Sequence, residues 1–236
     1  MTDVDQAAAV TASVHGSAAP GLAPASGVAE TNRDRVSRRQ VDKFSERRAQ
    51  LADAALQTLA ELGYARTSLR EIAQNSQFSH GVLHYYFSDK EDLITHCVRQ
   101  YEAACVTRYD EIVATAGSAE ELKREFSAAM AQTLRTDAPM HRLWYDLRNQ
   151  SLFEESFRTD VLEINQRREE MIWRVLSRYA EFTGITVALS PSAAYAILDG
   201  LFQQALLHLL AGHDEAAEEL RSNVAGVLDS LVKPCG

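Results

Sequence analysis

The chain has 236 residues, 46% apolar and 24% charged, with a formal net charge of −9. That length holds one large domain or two small ones around a real core, and the balance is that of an ordinary globular protein. No apolar run approaches the ~20 residues of a membrane span, so no membrane partner is expected. Five prolines and eleven glycines leave little punctuation for hairpins, and long runs of Ala, Leu, Glu, Arg and Gln favour an all-α chain. Three cysteines, Cys97, Cys105 and Cys235, show no metal-ligand spacing. With no signal-peptide pattern they read as reduced thiols of a cytoplasmic protein, Cys97 and Cys105 as buried filler.

Net acidity would argue against nucleic acid, but the charge is unevenly spread. Residues 1–30 carry a net −3, residues 31–90 a net +3 and the remainder −9. The segment with the motifs below is therefore the basic one.

Residues 1–30 are Ala, Ser, Gly and Pro with few large apolar side chains, and read as a disordered tail. A basic run follows with Arg33, Arg35, Arg38, Arg39, Lys43, Arg47 and Arg48, either a solvated helix entry or an arm that touches phosphate. From Phe44 the pattern turns helical, with Leu51, Ala54, Ala55, Leu59 and Leu62 on one face and Gly63 as the stop. Thr67 or Ser68 caps a short helix whose inward face is Leu69, Ile72 and Ala73. After a brief turn, Ser79 caps a second short helix ending near Phe87. Ser88 and Asp89 cap a helix expected to run unbroken to about Thr115. Two short helices joined by a tight turn and held by longer neighbours make a helix-turn-helix.

The residues from Arg48 to Leu93 resemble the DNA-binding domain of the TetR family of transcriptional regulators. The resemblance rests on Ala54 to Leu62 with Gly63-Tyr64, on TSLREIA (67–73) and on SHGVLHYYFSDKEDL (79–93). The last segment has glycine, two apolar residues, two variable positions, an aromatic pair ending in Phe87, then Asp-Lys-Glu-x-Leu. The resemblance implies a third helix in the major groove of double-stranded operator DNA. Ser79, His80, Gly81, His84 and Tyr85 would then face outward, with the hydroxyl of Tyr85 or Tyr86 on phosphate or base edges. Arg48, Thr67, Ser68, Arg70 and Lys90 are the further expected contacts, Lys90 at the amide-rich start of the fourth helix. Phe87 is expected in the core. His84 stands where many members carry tyrosine, a departure that weakens a phosphate contact there.

Beyond residue 95 the reading is coarser. Ser118 and Glu121 form a capping box opening a helix through Phe126, Met130 and Leu134. Pro139 starts a short helix with Leu143, Trp144 and Leu147, and a long one runs from about Glu154 to Phe182, ended by Gly184. Pro191 opens a helix to Gly212, and a last one spans about Asp214 to Val232. Tyr195, Leu198, Leu201, Phe202, Ala205 and Leu209, then Leu220, Val224, Val227 and Leu231, make apolar stripes at three- and four-residue steps. The helix from Pro191 is apolar on more than one face, which calls for a second buried surface. The resemblance makes that surface a homodimer interface, a four-helix bundle with the two-fold mate. Its residues would be Tyr195, Leu198, Leu201, Ala205, Leu209, Leu220, Val224, Val227 and Leu231.

A ligand pocket is expected among residues 97–182. Its candidates are Tyr101, Phe126, Met130, Trp144, Leu147, Phe153, Trp173 and Phe202, with His141 or Arg148 as polar anchors. Each also fits ordinary core packing. The aromatic content suits an apolar, aromatic or cationic small effector. The segment 143–168 resembles the regulatory domains of BetI-like repressors, which does not carry choline over to this chain. The expected organisation is a tail (1–30), a basic arm with a helix-turn-helix domain (31–95) and a helical regulatory and dimerisation domain (96–236). The expected function is a non-enzymatic regulator without cofactor or metal, by family default a repressor released from a pseudo-palindromic operator by its effector. An enzyme would call for Glu-x-x-His or His-Glu-x-x-His spacing, a phosphate loop or a nucleophile elbow, and none occurs. A protein-interaction bundle would leave the basic stretch and the His84-Tyr85 pair unexplained.

Overall fold

The computed structural model describes residues 32–231, with side chains from 38 to 230. The expected tail, the side chains of Arg33, Arg35 and Leu231, and the whole of Cys235 lie outside the described residues. Among the described residues there is no strand. The helices are α1 (Asn32–Leu62), α2 (Leu69–Gln74), α3 (His80–Tyr86), α4 (Lys90–Cys105) and α5 (Asp110–Thr115). They continue as α6 (Ala119–Thr136), α7 (Ala138–Gln150), a 3-10 turn (Glu155–Phe157), α8 (Arg158–Thr183), α9 (Pro191–Leu210) and α10 (Ala216–Leu231). Residues 1–39 and 40–236 are separate units, and all packing described below lies within the second.

Side-chain caps place several of the helix starts. Ser68 Oγ accepts from Glu71 N at 3.2 Å, Ser79 Oγ from Val82 N at 3.3 Å and Asp89 Oδ1 from Asp92 N at 2.7 Å. Each satisfies an amide that helix geometry leaves without a partner. Ser118 does the same for Glu121 N at 3.2 Å, but the Glu121 carboxylate reaches past the cap to Gly117 N, at 2.9 Å. Thr67 is not a cap: it is buried, and its hydroxyl donates to Gly63 O at 2.7 Å. Gly63 ends α1 at φ +77°, and a Cβ there would stand 3.1 Å from Asp146 Oδ2. Conformation and space both favour glycine at that position.

Two boundaries differ from the sequence expectation. α1 begins at Asn32 rather than near Phe44, because Arg, Gln and Lys sustain a helix without an apolar stripe to announce it. The helix from Lys90 does not run on to Thr115: it stops at Cys105, and residues 106–109 form a turn. The backbone there tightens to three-residue bonds, Arg108 N to Cys105 O at 3.2 Å and Asp110 N to Thr107 O at 3.0 Å. The Arg174 guanidinium donates to Val106 O at 2.6 Å and to Asp110 Oδ1 at 2.8 Å, while the buried Tyr109 ring sets edge-on against Phe126, centroids 4.8 Å apart. Tertiary partners end this helix, with no glycine or proline in the turn.

Leu51, Ala55 and Leu59 of α1, Leu69 and Ile72 of α2, Leu83 of α3 and Phe87 enclose one apolar centre with Leu93, Ile94 and Cys97 of α4. Beyond it α6, α8, α9 and α10 pack on one another and α7 lies against α6 and α9. By length and composition alone α9 would cross a membrane, contrary to the expectation that no run comes near. Its apolar residues are divided between a face buried in the chain and an outer one carrying Ile197, Leu207 and Leu210. It also holds the buried carboxylate of Asp199, which an ion pair to Arg148 satisfies.

One ion pair ties three of these helices together. Glu102 of α4 and Arg168 of α8 are 1% and 4% exposed. Arg168 Nε donates to Glu102 Oε2 at 2.9 Å and Nη2 donates to Oε1. The guanidinium lies 4.4 Å over the Trp144 ring of α7, which adds an attractive face to a charge removed from water. Arg168→Met is expected to cost about 3–5 kcal/mol, because the Glu102 carboxylate is left buried without a partner. Glu102→Leu combined with Arg168→Met should regain most of that loss. Urea midpoints of the single and double variants test this, and equal losses in both would mean the pair is not the tie.

Candidate functional site

The face presented by α3 is polar and open. Ser79, His80, Gly81, His84 and Tyr85 are all exposed, Tyr85 by 72%, while Leu83 and Phe87 anchor the helix from behind at 0% and 1%. Nothing lies within 4 Å of where a Gly81 Cβ would be, so its backbone can be approached closely. The His80 and His84 rings meet edge to face with their Nε2 atoms 3.1 Å apart. Tyr86 is half-buried, its ring centroid 4.8 Å from Phe44 of α1, and Tyr85 lies 6.2 Å from the same ring. Phe44 thus sets the pitch of the tyrosine pair, a role the sequence reading missed because it took this residue only as the start of the helix. On α2, which packs against α3, Ser68 and Arg70 are exposed.

Three of the expected DNA contacts are engaged inside the chain. Arg48 pairs with Asp92 at 2.5 Å and stacks 4.7 Å over Phe87, fastening α1 to α4. Thr67 is held by Gly63 as described. Lys90 Nζ sits 3.8 Å over the Tyr64 ring and donates to Tyr64 O at 3.2 Å. Each makes a local contact that a residue count along the chain does not reveal.

Tyr64 is where the helix-turn-helix meets the rest of the unit. Its backbone N donates to Asp146 Oδ2 of α7 at 2.7 Å. Its hydroxyl lies 3.0 Å from Glu91 Oε1 and 3.2 Å from Glu154 Oε2. Burial and those two carboxylates push its pKa up, so it remains a neutral donor. One turn back on α7, Arg142 donates to Ala60 O and, at 2.9 Å, to Glu61 O. It thereby covers carbonyls left without partners at the end of α1.

The adjoining side of α7 borders a small cavity of about 40 Å³. Of the candidates Met130, His141 and Phe202 line it, together with Arg108, Arg168, Tyr145, Asp199, Tyr109, Met171, Ile172 and Cys105. The other candidates stand elsewhere. Tyr101 is behind the wall, its hydroxyl donating to Asp137 Oδ2 at 3.0 Å. Phe126 and Trp144 are core, packed under Tyr109 and Arg168. Leu147 is buried, Trp173 is half-buried away from the cavity, and Phe153 is 84% exposed. Arg148 serves only through Asp199, whose Oδ1 accepts from Tyr145 at 3.0 Å and Tyr195 at 3.3 Å. Burial, with Arg168 and Arg108 nearby, lowers the His141 pKa well below the ordinary imidazole value, so its ring is neutral. Burial pushes the Cys97 and Cys105 thiols up, which removes thiolate reactivity.

The residues expected at a dimer interface divide. Tyr195, Leu198, Ala205, Leu220 and Val224 are buried in their own chain, Tyr195 and Leu198 as cavity wall. Only Leu201, Leu209 and Val227 keep part of their surface. Periodicity marks a buried stripe but not its partner, and here α9 and α10 pack on each other, α10 on α6 and α9 on α8.

A family model described as bacterial regulatory proteins, tetR family, matches residues 51–97, the stretch from α1 to α4 just described. The chain is 30% identical over 166 residues to the HTH-type transcriptional regulator BetI of Paraburkholderia phymatum, covering 68% of this chain and 82% of that one. It is 33% identical over 127 residues to the BetI of Burkholderia mallei, where the match covers 52% of this chain and 63% of the relative's length. In fold it is similar to a putative transcriptional regulator of Saccharomonospora viridis in complex with choline. That match has a TM-score of 0.65 and 18% identity over 80% of this chain and all of that one. It is also similar to the transcriptional regulator FadR of Bacillus subtilis in complex with stearoyl-CoA, with a TM-score of 0.62 and 20% identity over 78% and 99%. The helix-turn-helix geometry, the matched segment and the extent of the BetI alignment agree: this chain belongs to the tetR family of bacterial regulatory proteins.

Proposed function

We propose that this chain is a sequence-specific transcriptional regulator, a homodimer that represses from a pseudo-palindromic operator and releases it when a small effector enters the cavity beside α7. The observation that carries the reading is the exposed polar face of α3, with Tyr85 open and Leu83 and Phe87 locked behind it. Such a helix can enter a major groove without losing core packing. Ser68 and Arg70 of α2 supply phosphate contacts beside it, while Arg48, Thr67 and Lys90 act by holding the domain together. The domain division at residues 95 and 96 falls within α4, so that helix belongs to both halves. The dimer seam lies on the outer faces of α9 and α10, where Ile197, Leu201, Leu207 and Val227 retain accessible surface. A two-fold mate there would set the spacing of the two α3 helices.

Release follows two levers that share the cavity. The turn after α4 contributes Arg108, and α7 contributes His141 and Tyr145. On α7 these alternate with Arg142 and Asp146, which grip the end of α1 and Tyr64. A ligand that moves α7 therefore moves the helix-turn-helix, provided it binds the released state more tightly. The relatives' names and the bound choline or stearoyl-CoA of the structural neighbours support a small-molecule effector without naming this one.

Tyr85→Ala is expected to weaken operator binding by about 1–3 kcal/mol while leaving helicity and unfolding midpoint unchanged. Retardation of DNA fragments from the upstream region and from a genome-wide selection, at two salt concentrations, measures it. Wild-type affinity in the variant, or equal affinity for every fragment, would sink the operator reading. Arg142→Ala combined with Asp146→Ala should keep operator binding but lose about 0.5–2 kcal/mol of the coupling to whichever compound releases the parent. An undiminished response would remove α7 from the pathway.

A further inference from the structure

The wall of the cavity holds a buried side chain, His141, and a half-buried one, Arg108, each with unused hydrogen-bonding capacity at a buried atom. His141 is 5% exposed, and neither Nδ1 nor Nε2 has a partner. Arg108 directs Nη2 to Asp137 Oδ2 at 3.0 Å and to Tyr101 Oη at 3.3 Å, while its buried Nε–H has none. Buried polar groups in native proteins are nearly always satisfied, so two such groups in one wall point to a ligand that satisfies them.

What is missing there is an acceptor for Arg108 Nε–H and for the single N–H of the neutral His141 ring, whose other nitrogen lacks a donor. The carboxylates around the cavity are already engaged: Asp199 accepts from Tyr145, Tyr195 and Arg148, and Glu102 accepts both donors of Arg168. A ligand cation would find no free carboxylate and would face Arg108 and Arg168. The remaining wall is apolar, with Met130, Met171, Ile172, Leu198 and Phe202, and it favours a compact hydrocarbon body over a polar one.

We infer that the cavity binds a small monocarboxylate with a compact apolar body, the carboxylate accepting from Arg108 Nε and from the His141 ring. The inference rests on the regulator reading only in calling this ligand the effector. Charge-assisted bonds of this kind are about twice as strong as neutral ones, so the acid should bind better than its uncharged amide. Burial first, and then the Arg168 and Arg108 guanidiniums, keep His141 neutral, and the two guanidiniums attract a ligand anion. A quaternary ammonium such as choline has no place in this wall, which leaves the apolar or aromatic body of the apolar, aromatic or cationic effector that aromatic content suits.

The test is calorimetric titration of the full chain, without DNA, with benzoate, isovalerate and octanoate, with their amides, and with choline. At least one acid should bind, roughly tenfold or more tighter than its amide, a difference of about 1.4 kcal/mol, and choline should give no heat. Arg108→Gln and His141→Leu should each weaken that acid by about tenfold or more, while Arg108→Lys should restore part of the affinity. Binding of choline above the acids, equal binding of acid and amide, or no binding by any acid would each overturn the inference. The acid–amide comparison uses the parent protein, so it stands even if a variant fails to fold. Because no operator is present, failure here leaves the DNA-binding reading intact, and failure of operator retardation leaves this result intact.

Discussion

The bidentate bond between Arg168 and Glu102 is the constraint on which the rest of the regulatory half depends. Two opposite charges have been taken out of water, and such a pair is costly unless its geometry is good and its remaining surfaces are matched. Here both guanidinium donors used meet carboxylate oxygens and the flat face rests on Trp144. The pair joins α4, α7 and α8 at one point, just before α4 ends at Cys105. It thereby sets where the following turn leaves the helix, and with it where Arg108 reaches the cavity. The same guanidinium forms part of the cavity wall, so the tie that holds the helices also sets the potential felt by any ligand.

Much of the DNA-binding half was legible in the chain because its signals are local. Ser68, Ser79 and Asp89 are caps, and a cap acts on an amide two or three residues away. Gly63 stops α1 through its own backbone, and the alternation around Leu83 and Phe87 follows helical period. What was not legible depends on partners distant in sequence. Arg48 and Lys90 are cations in a basic segment and read as phosphate ligands, yet Asp92, Phe87 and the Tyr64 ring hold them. The break after Cys105 has no glycine or proline to mark it, since the Arg174 contact with Val106 and Asp110 comes from another helix.

The regulatory half shows the same limit from the other side. Tyr195, Leu198, Leu220 and Val224 obey the stripe pattern that identifies burial, and they are buried, but inside their own chain. A signal for the cavity was nevertheless present: Asp199 is the single carboxylate of a largely apolar helix, and Arg168 stands at the spacing of Ile164, Met171, Ile172 and Val175. Charges in such positions are rare unless paired, so each announced a buried partner. Naming the partners, Arg148 and Glu102, required the fold.

Position along α7 decides which residues face the cavity and which face the end of α1. His141 and Tyr145 are one turn apart and face the cavity; Arg142 and Asp146 are each the next residue and hold α1 and Tyr64. Adjacent residues on a helix are separated by about 100°, so two neighbouring strips of one helix touch two different structures. A cavity this small offers a ligand few contacts, and the differential affinity available to shift an equilibrium is correspondingly limited. Loss along a chain of flexible intermediates would dissipate it. One rigid helix with the ligand on one strip and the DNA-binding domain on the next has no such intermediate. A well-packed interior resists continuous deformation, and the proposed release uses that resistance to carry a displacement at His141 to Tyr64.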